Sequence, residues 1–360
     1  MRHINHSGKP SGSRHRFTAS AAVLSGILLL FIVCFIHPVR AQDISYRGGD
    51  PGLELLGKEI ERLSRLSGGI MGVGAVHIET GREVYLNGET RFPMASTFKI
   101  PVAVQIFTLI DRGEARLEEM IRIEPGDLHP GSGTISRLFD DPGVILSLHN
   151  LIELMLLISD NSATDIVMRR AGGSSAVTAR LRELGIDGID VSRPTHVLIA
   201  DWVGVQGVTE ARPMHKDEFS RLMRQVARED RERAAETFNT DARDTATPEA
   251  MTALLGKIWK KEMLSDESAD LMLDIMRRCE TGEGRIKGIL PPGLVVYHKT
   301  GTIGQTLNDV GLIALPDGAG TVAMAIFVKE SDRDDEAREA AVAQVARALY
   351  DYFLFNPGIR

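Results

Sequence analysis

Two residues three positions apart, Ser96 and Lys99 in Met94-Ala95-Ser96-Thr97-Phe98-Lys99, are the first in this chain whose types and spacing suggest chemistry. The apolar run 100–110 behind them predicts a buried helix with Ser96 at its N-terminus. Residues three apart share one face of such a helix. A serine hydroxyl is a poor nucleophile until a base takes its proton. A lysine amine can be that base if burial or nearby positive charge lowers its pKa. The helix N-terminus adds free N–H groups and partial positive charge, which suit a developing oxyanion. One turn could therefore hold nucleophile, base and part of an oxyanion hole. An ordinary capped helix start with a solvated lysine has the same local sequence, so the pair is weak alone.

The elements around this turn follow from periodicity. Residues 53–66 predict an amphipathic helix, and 70–78 and 83–86 two strands joined at Glu79-Thr80-Gly81. Residues 127–143, rich in Gly, Pro, Asp and Ser, predict a loop. Helices are expected over 146–158, ending at Ser159-Asp160-Asn161, then 162–170 and 177–184, and one charged helix over 214–238. Thr247-Pro248 predicts another helix start. The pattern changes near Pro291. Residues 294–298 lead into Lys299-Thr300-Gly301-Thr302, strands follow at 310–315 and 321–328, and a helix over 336–355 closes the chain. This order predicts an α+β fold, an α/β sandwich. One antiparallel sheet is built from both chain ends, with flanking helices and an inserted all-α lobe. The α/β part is expected at about 52–111 and 290–355, the lobe at about 112–289.

The 360 residues suit one large or two moderate domains. Residues 1–41 hold five basic side chains and no acid, then an apolar run over 19–36 and Val39-Arg40-Ala41, a pattern expected of a signal peptide. The run also approaches the length of a membrane span, so an N-terminal anchor is the alternative. The remainder, 42–360, carries 37 basic against 49 acidic residues, which argues against a nucleic-acid partner. After cleavage Cys279 is the one cysteine left, which excludes an internal disulfide and a Cys-rich metal site.

Ser96-x-x-Lys99, Ser159-Asp160-Asn161 and Lys299-Thr300-Gly301 stand in the order of the motif set of class A β-lactamases and penicillin-binding proteins. From about 53 to 355 the chain resembles a class A serine β-lactamase. Arg243-Asp244-Thr245-x-Thr247-Pro248 looks like the segment that closes the family's active-site loop. Arg193, 34 residues after Ser159, matches the loop arginine that pairs with that aspartate. The resemblance implies that Ser96 is acylated, Lys99 helps take its proton, and Ser159 shuttles a proton to the leaving nitrogen. It implies that Asn161 binds the substrate's amide side chain and that Lys299 and Thr300 hold its carboxylate. The N–H groups of Ser96 and Thr302 would form the oxyanion hole, with Gly301 between the carboxylate and oxyanion positions. Arg285, 14 residues before Lys299, falls where some members carry an arginine near the carboxylate.

Two departures bear on turnover. The family's deacylating glutamate, two residues after the loop arginine, is Thr195 here, and its water-holding asparagine is Ile199. The stretch from Arg193 to Asp244 exceeds the family's loop by roughly 36 residues, too many to lack structure of their own. An inserted carboxylate (Asp201, Glu210 or Glu229), or His196, could replace the missing base. The expected function is a serine hydrolase opening β-lactam rings, hence antibiotic resistance. The alternatives are a penicillin-binding D,D-peptidase or esterase and a slowly deacylating β-lactam sensor. The expected substrate is a β-lactam or peptidoglycan-like peptide, with no metal or organic cofactor. The protein is expected to be a monomer, exported to the periplasm or secreted, or anchored by residues 19–36.

Overall fold

The computed structural model describes residues 42–210 and 214–357. The expected signal or anchor in residues 1–41 lies outside them. Among the described residues no helix is long and apolar enough to cross a membrane.

The fold is α+β, centred on a six-stranded antiparallel sheet. Its strands are β1 (Ile44–Arg47), β2 (Ile70–His77), β3 (Arg82–Leu86), β4 (Val296–Ile303), β5 (Thr306–Ala314) and β6 (Thr321–Lys329), in spatial order β1-β3-β2-β6-β5-β4. The β2–β6 pairing, Ile70 opposite Lys329 through His77 opposite Val322, joins the two chain ends.

Period-two alternation builds two cores on the two sheet faces. In β6, Val322, Met324, Ile326 and Val328 meet the helices Gly52–Ser64 and Asp335–Phe355. Ala323, Ala325 and Phe327 face the helical lobe. On that inner face of β2 stand two glycines that let neighbours close in. A Cβ on Gly72 would come 2.3 Å from the Phe92 ring, and one on Gly74 would come 3.0 Å from the Pro248 carbonyl.

The Lys99–Asp111 helix is buried on nearly every side, so the lobe packs around it. Ser147, Asp160, Thr247 and Ser265 cap later helices through side-chain oxygens, the usual N-cap chemistry. The helix predicted over 214–238 is two helices, Lys216–Gln225 and Arg228–Thr240. They break where Val226 and Ala227 turn extended, which leaves Val226 packed with Phe219, Val203 and Leu222 in a small third core. A Thr195–Val203 helix lies beneath them.

Candidate active site

Ser96 lies in a tight 3₁₀ turn, Ala95–Phe98, and the α-helix proper begins at Lys99. In a 3₁₀ turn, side chains three apart eclipse, which keeps Ser96 and Lys99 on one side. Ala95, just before the serine, holds φ +45°, a sparsely populated conformation for alanine. Surrounding contacts hold it there. Asn308 Nδ2 donates to the carbonyls of Pro93 and Met94, each at 2.9 Å, and Val328 N donates to Asn308 Oδ1. The Met94 N–H donates to the Asp244 carbonyl. Gly301 of β4 backs the turn: a Cβ there would lie 2.5 Å from the Met94 carbonyl and 3.0 Å from Ser96 N. Only glycine lets β4 come so close, and the approach sets Thr302 beside the serine's backbone.

Lys99 is fully buried. Its Nζ donates to Ser159 O (2.8 Å), Ser159 Oγ (2.9 Å) and Asn161 Oδ1 (3.1 Å). Burial, then the charge of Lys299, pulls its pKa well below the ordinary lysine value. Ser159 holds φ +61°. Asp160 fixes this corner, accepting from Ala163 N and from the Thr134 and Ile135 N–H groups of the facing loop. That loop must be glycine at 133, where a Cβ would meet the Asp160 carboxylate at 2.4 Å. Asn161 Nδ2 donates to Pro130 O.

Lys299 is likewise buried, and burial lowers its pKa to about 8 against the opposing pull of Cys279 and Asp309. The thiol and its partners form a buried network that the sequence did not announce. His298 Nδ1 lies 2.9 Å from Asp309 Oδ1, and this pairing outweighs burial to raise the imidazole to about 9. Burial would raise the Cys279 thiol, but the nearby charge of His298 brings it down to about 7. Thr281 Oγ1 connects Cys279 Sγ (3.3 Å) to Thr300 Oγ1 (2.6 Å).

Arg285 is buried beneath β4. It donates to Glu339 through Nε, to Gly301 O and Asn308 O through Nη1, and to Thr302 Oγ1 through Nη2 at 2.7 Å. Four of the guanidinium's five N–H groups are thereby used within the protein.

A cavity of about 400 Å³ opens at Ser96, Asn161 and Thr302. Its far wall is apolar: Leu198, Ile199, Trp202 and Val203, with Phe219 and Met223 from the first inserted helix. Thr195 lines it with a buried hydroxyl that has no hydrogen-bond partner. No carboxylate or imidazole lines it among the described residues. Asp201 bonds Arg193 and Arg243, Glu210 lines a separate small cavity, and Glu229 is exposed on the second inserted helix. His196 is turned to Asp165 and the Thr209 carbonyl. The insertion therefore contributes apolar wall instead of a replacement base. The loop pair does form: Arg193 Nε donates to Asp244 Oδ2 at 2.6 Å.

Comparison with known proteins agrees with this architecture. The model of the beta-lactamase enzyme family matches residues 55–353. Beta-lactamase VEB-1 of Pseudomonas aeruginosa is 28% identical over 304 residues, 82% of this chain and 89% of that protein. Extended-spectrum beta-lactamase PER-1 of the same organism is 26% identical over 83% of this chain and 88% of its own length. The solved structure of a β-lactamase from Chitinophaga pinensis superposes with a TM-score of 0.69 at 26% identity, covering 83% of this chain and 99% of that one. With the family match spanning most of its length, this chain belongs to the beta-lactamase enzyme family and is a serine hydrolase of the class A type, acting on β-lactams.

Proposed function

We propose that the protein opens β-lactam rings through an ester on Ser96. The observation that carries this reading is the buried Lys99 amine, three residues after Ser96, its pKa depressed and its Nζ bonded to Ser159 Oγ. In its neutral form Lys99 takes the Ser96 proton as Oγ attacks the lactam carbonyl. The N–H groups of Ser96 and Thr302 receive the oxyanion. The Lys99–Ser159 bond runs in the direction needed to pass that proton on to the ring nitrogen as the C–N bond breaks. Lys299 and Thr300 hold the carboxylate, and Asn161 Nδ2 the amide side chain. The reading includes export, on the basic-then-apolar pattern of residues 1–41, and action as a monomer. Brief exposure to a penicillin followed by intact-mass analysis should give one covalent adduct, mapped by peptide analysis to Ser96. Unmodified protein at saturating drug would overturn the assignment.

Arg285 acts on the carboxylate in this scheme, through its remaining N–H and the Thr302 hydroxyl that it holds. Arg285→Ala should lower kcat/KM for carboxylate-bearing β-lactams by about 1.5–3 kcal/mol, the range for hydrogen bonds to charged groups. Esters of the same drugs should lose little. Equal losses with acid and ester would reduce Arg285 to a structural brace.

A further inference from the structure

Behind the wall that carries Thr195, three buried side chains from separate segments converge. They are His129 from the loop before Pro130, Asp165 from the Asn161–Arg170 helix, and His196 from the start of the Thr195–Val203 helix. One ligand-capable atom from each lies within 4.8 Å of the others. Asp165 Oδ2 stands 2.8 Å from His196 Nδ1 and 3.3 Å from His129 Nε2. Atoms bound to one ion at about 2.0–2.2 Å are separated by distances of this order.

Two of the three ligands, His196 and Asp165, have the supporting contacts that metal ligands require. Without an ion His196 Nδ1–H donates to Asp165 Oδ2; the ion would take that proton's place, while Nε2, 3.2 Å from the Thr209 carbonyl, keeps its own. Asp165 is fixed by two backbone donors, Thr195 N to Oδ1 (2.6 Å) and His196 N to Oδ2 (3.0 Å). His129 Nδ1 is buried without a partner, and the residue lines a cavity of about 60 Å³ whose wall includes Glu210. That volume admits an ion with a bound water. Arg169 at the same cavity is paired with Asp127 at 2.7 Å, which leaves Asp165 within the cluster and Glu210 at the cavity wall as its negative charges.

We propose that His129 Nε2, His196 Nδ1 and Asp165 Oδ2 form a binding site for one divalent transition-metal ion, zinc in the first instance, with water completing the shell. Two imidazoles and a carboxylate suit zinc, and three protein ligands leave a position open toward the cavity. Each ligand sits close in sequence to a residue of the Ser96 cavity. His129 precedes Pro130, His196 follows Thr195, and Asp165 is one helical turn after Asn161. The ion therefore ties together the two sides of that cavity without touching the acylated serine.

The test uses the whole protein after dialysis against a chelator. Zinc titration by calorimetry should show one saturable site, and cobalt should give visible absorption bands of a low-coordinate N/O centre. Zinc should raise Tm by mass action. His129→Gln and His196→Gln should each weaken binding by more than the roughly 10–100-fold that loss of a supporting partner costs. His149→Gln, at a half-buried histidine on the Leu148–Leu157 helix, should bind as the wild type does. Absence of saturable binding to the wild type overturns the proposal and leaves a His–Asp–His hydrogen-bond network. Binding and a Tm shift that survive in both variants also overturn it. If either variant fails to fold, the wild-type stoichiometry and cobalt spectrum decide.

Discussion

Lys99→Met should slow acylation of Ser96 by about 10²–10⁴-fold, the usual contribution of a positioned general base. An ordinary lysine at neutral pH is unprotonated in only roughly one molecule in a few thousand. Lys99 escapes that limit because it is fully buried and close to the charge of Lys299, which together favour its neutral form. Its three acceptors, Ser159 O, Ser159 Oγ and Asn161 Oδ1, hold the amine in place and tie it to the hydroxyl proposed to relay the proton. Methionine fills similar space but has no lone pair of comparable basicity and no proton to give. It leaves the buried Ser159 carbonyl without its Lys99 donor, at a cost of about 1–3 kcal/mol, while removing a buried amine that was costly to charge. The variant should therefore fold. The adduct should still reach one per chain, slowly, with Ser96→Ala as the blank. Stopped-flow or quenched mass measurements of the acylation rate test this. A rate within tenfold of the wild type would move the base elsewhere.

How much of this was legible in the sequence depends on how locally each feature is encoded. The alternation in 321–328 and the Thr247-Pro248 start are short patterns that tertiary packing reinforces. The three motifs are likewise contiguous words. The structure gathers Lys99, Ser159 and Asn161 into one bonded cluster, and Gly301 of the third motif rests against the Ser96 turn. What holds them is written at a distance. Asn308 reaches back over 214 residues to clamp the Met94 carbonyl, and nothing beside it in sequence marks that role.

The Thr195–Val203 helix was hidden for a related reason. Thr-His-Val-Leu-Ile-Ala-Asp-Trp-Val is rich in β-branched and aromatic residues, whose intrinsic preference is not helical. Its N-cap, Pro194, offers no side-chain acceptor. The cap comes from another helix, where Asp165 accepts the Thr195 and His196 N–H groups. Packing against the inserted helices supplies the rest. A helix capped in trans and stabilised through an insertion has no local signature, and neither does the break at Val226, set by a core that exists only in the folded chain.

The wall formed by that helix leads to the second large effect, on release of the acyl group. In the proposed scheme acylation removes a proton from Ser96, and deacylation removes one from water as it approaches the ester. The cavity beside Ser96 offers that water Thr195, Ile199 and an apolar wall, with no carboxylate or imidazole among the described lining residues. Within the constellation, Lys99 is the remaining group able to accept the proton, and it is engaged with Ser159 and Asn161. Hydrolysis should therefore proceed as a stoichiometric burst followed by turnover slower than acylation by about 10²–10⁴-fold. Thr195→Glu should accelerate the second phase and leave the burst rate nearly unchanged. The Thr195 hydroxyl has no partner to lose, so the cost of the substitution is that of seating a carboxylate against an apolar wall. Thr195→Val, which removes the hydroxyl but keeps the shape, should alter the second phase far less. Rapid mixing with a chromogenic cephalosporin reads both phases. Fast turnover without a burst, unaffected by Thr195→Glu, would mean that an unrecognised base serves the water. A burst whose second phase Thr195→Glu does not accelerate would mean that Ile199 and the apolar wall keep water from the ester, making access limiting instead of basicity.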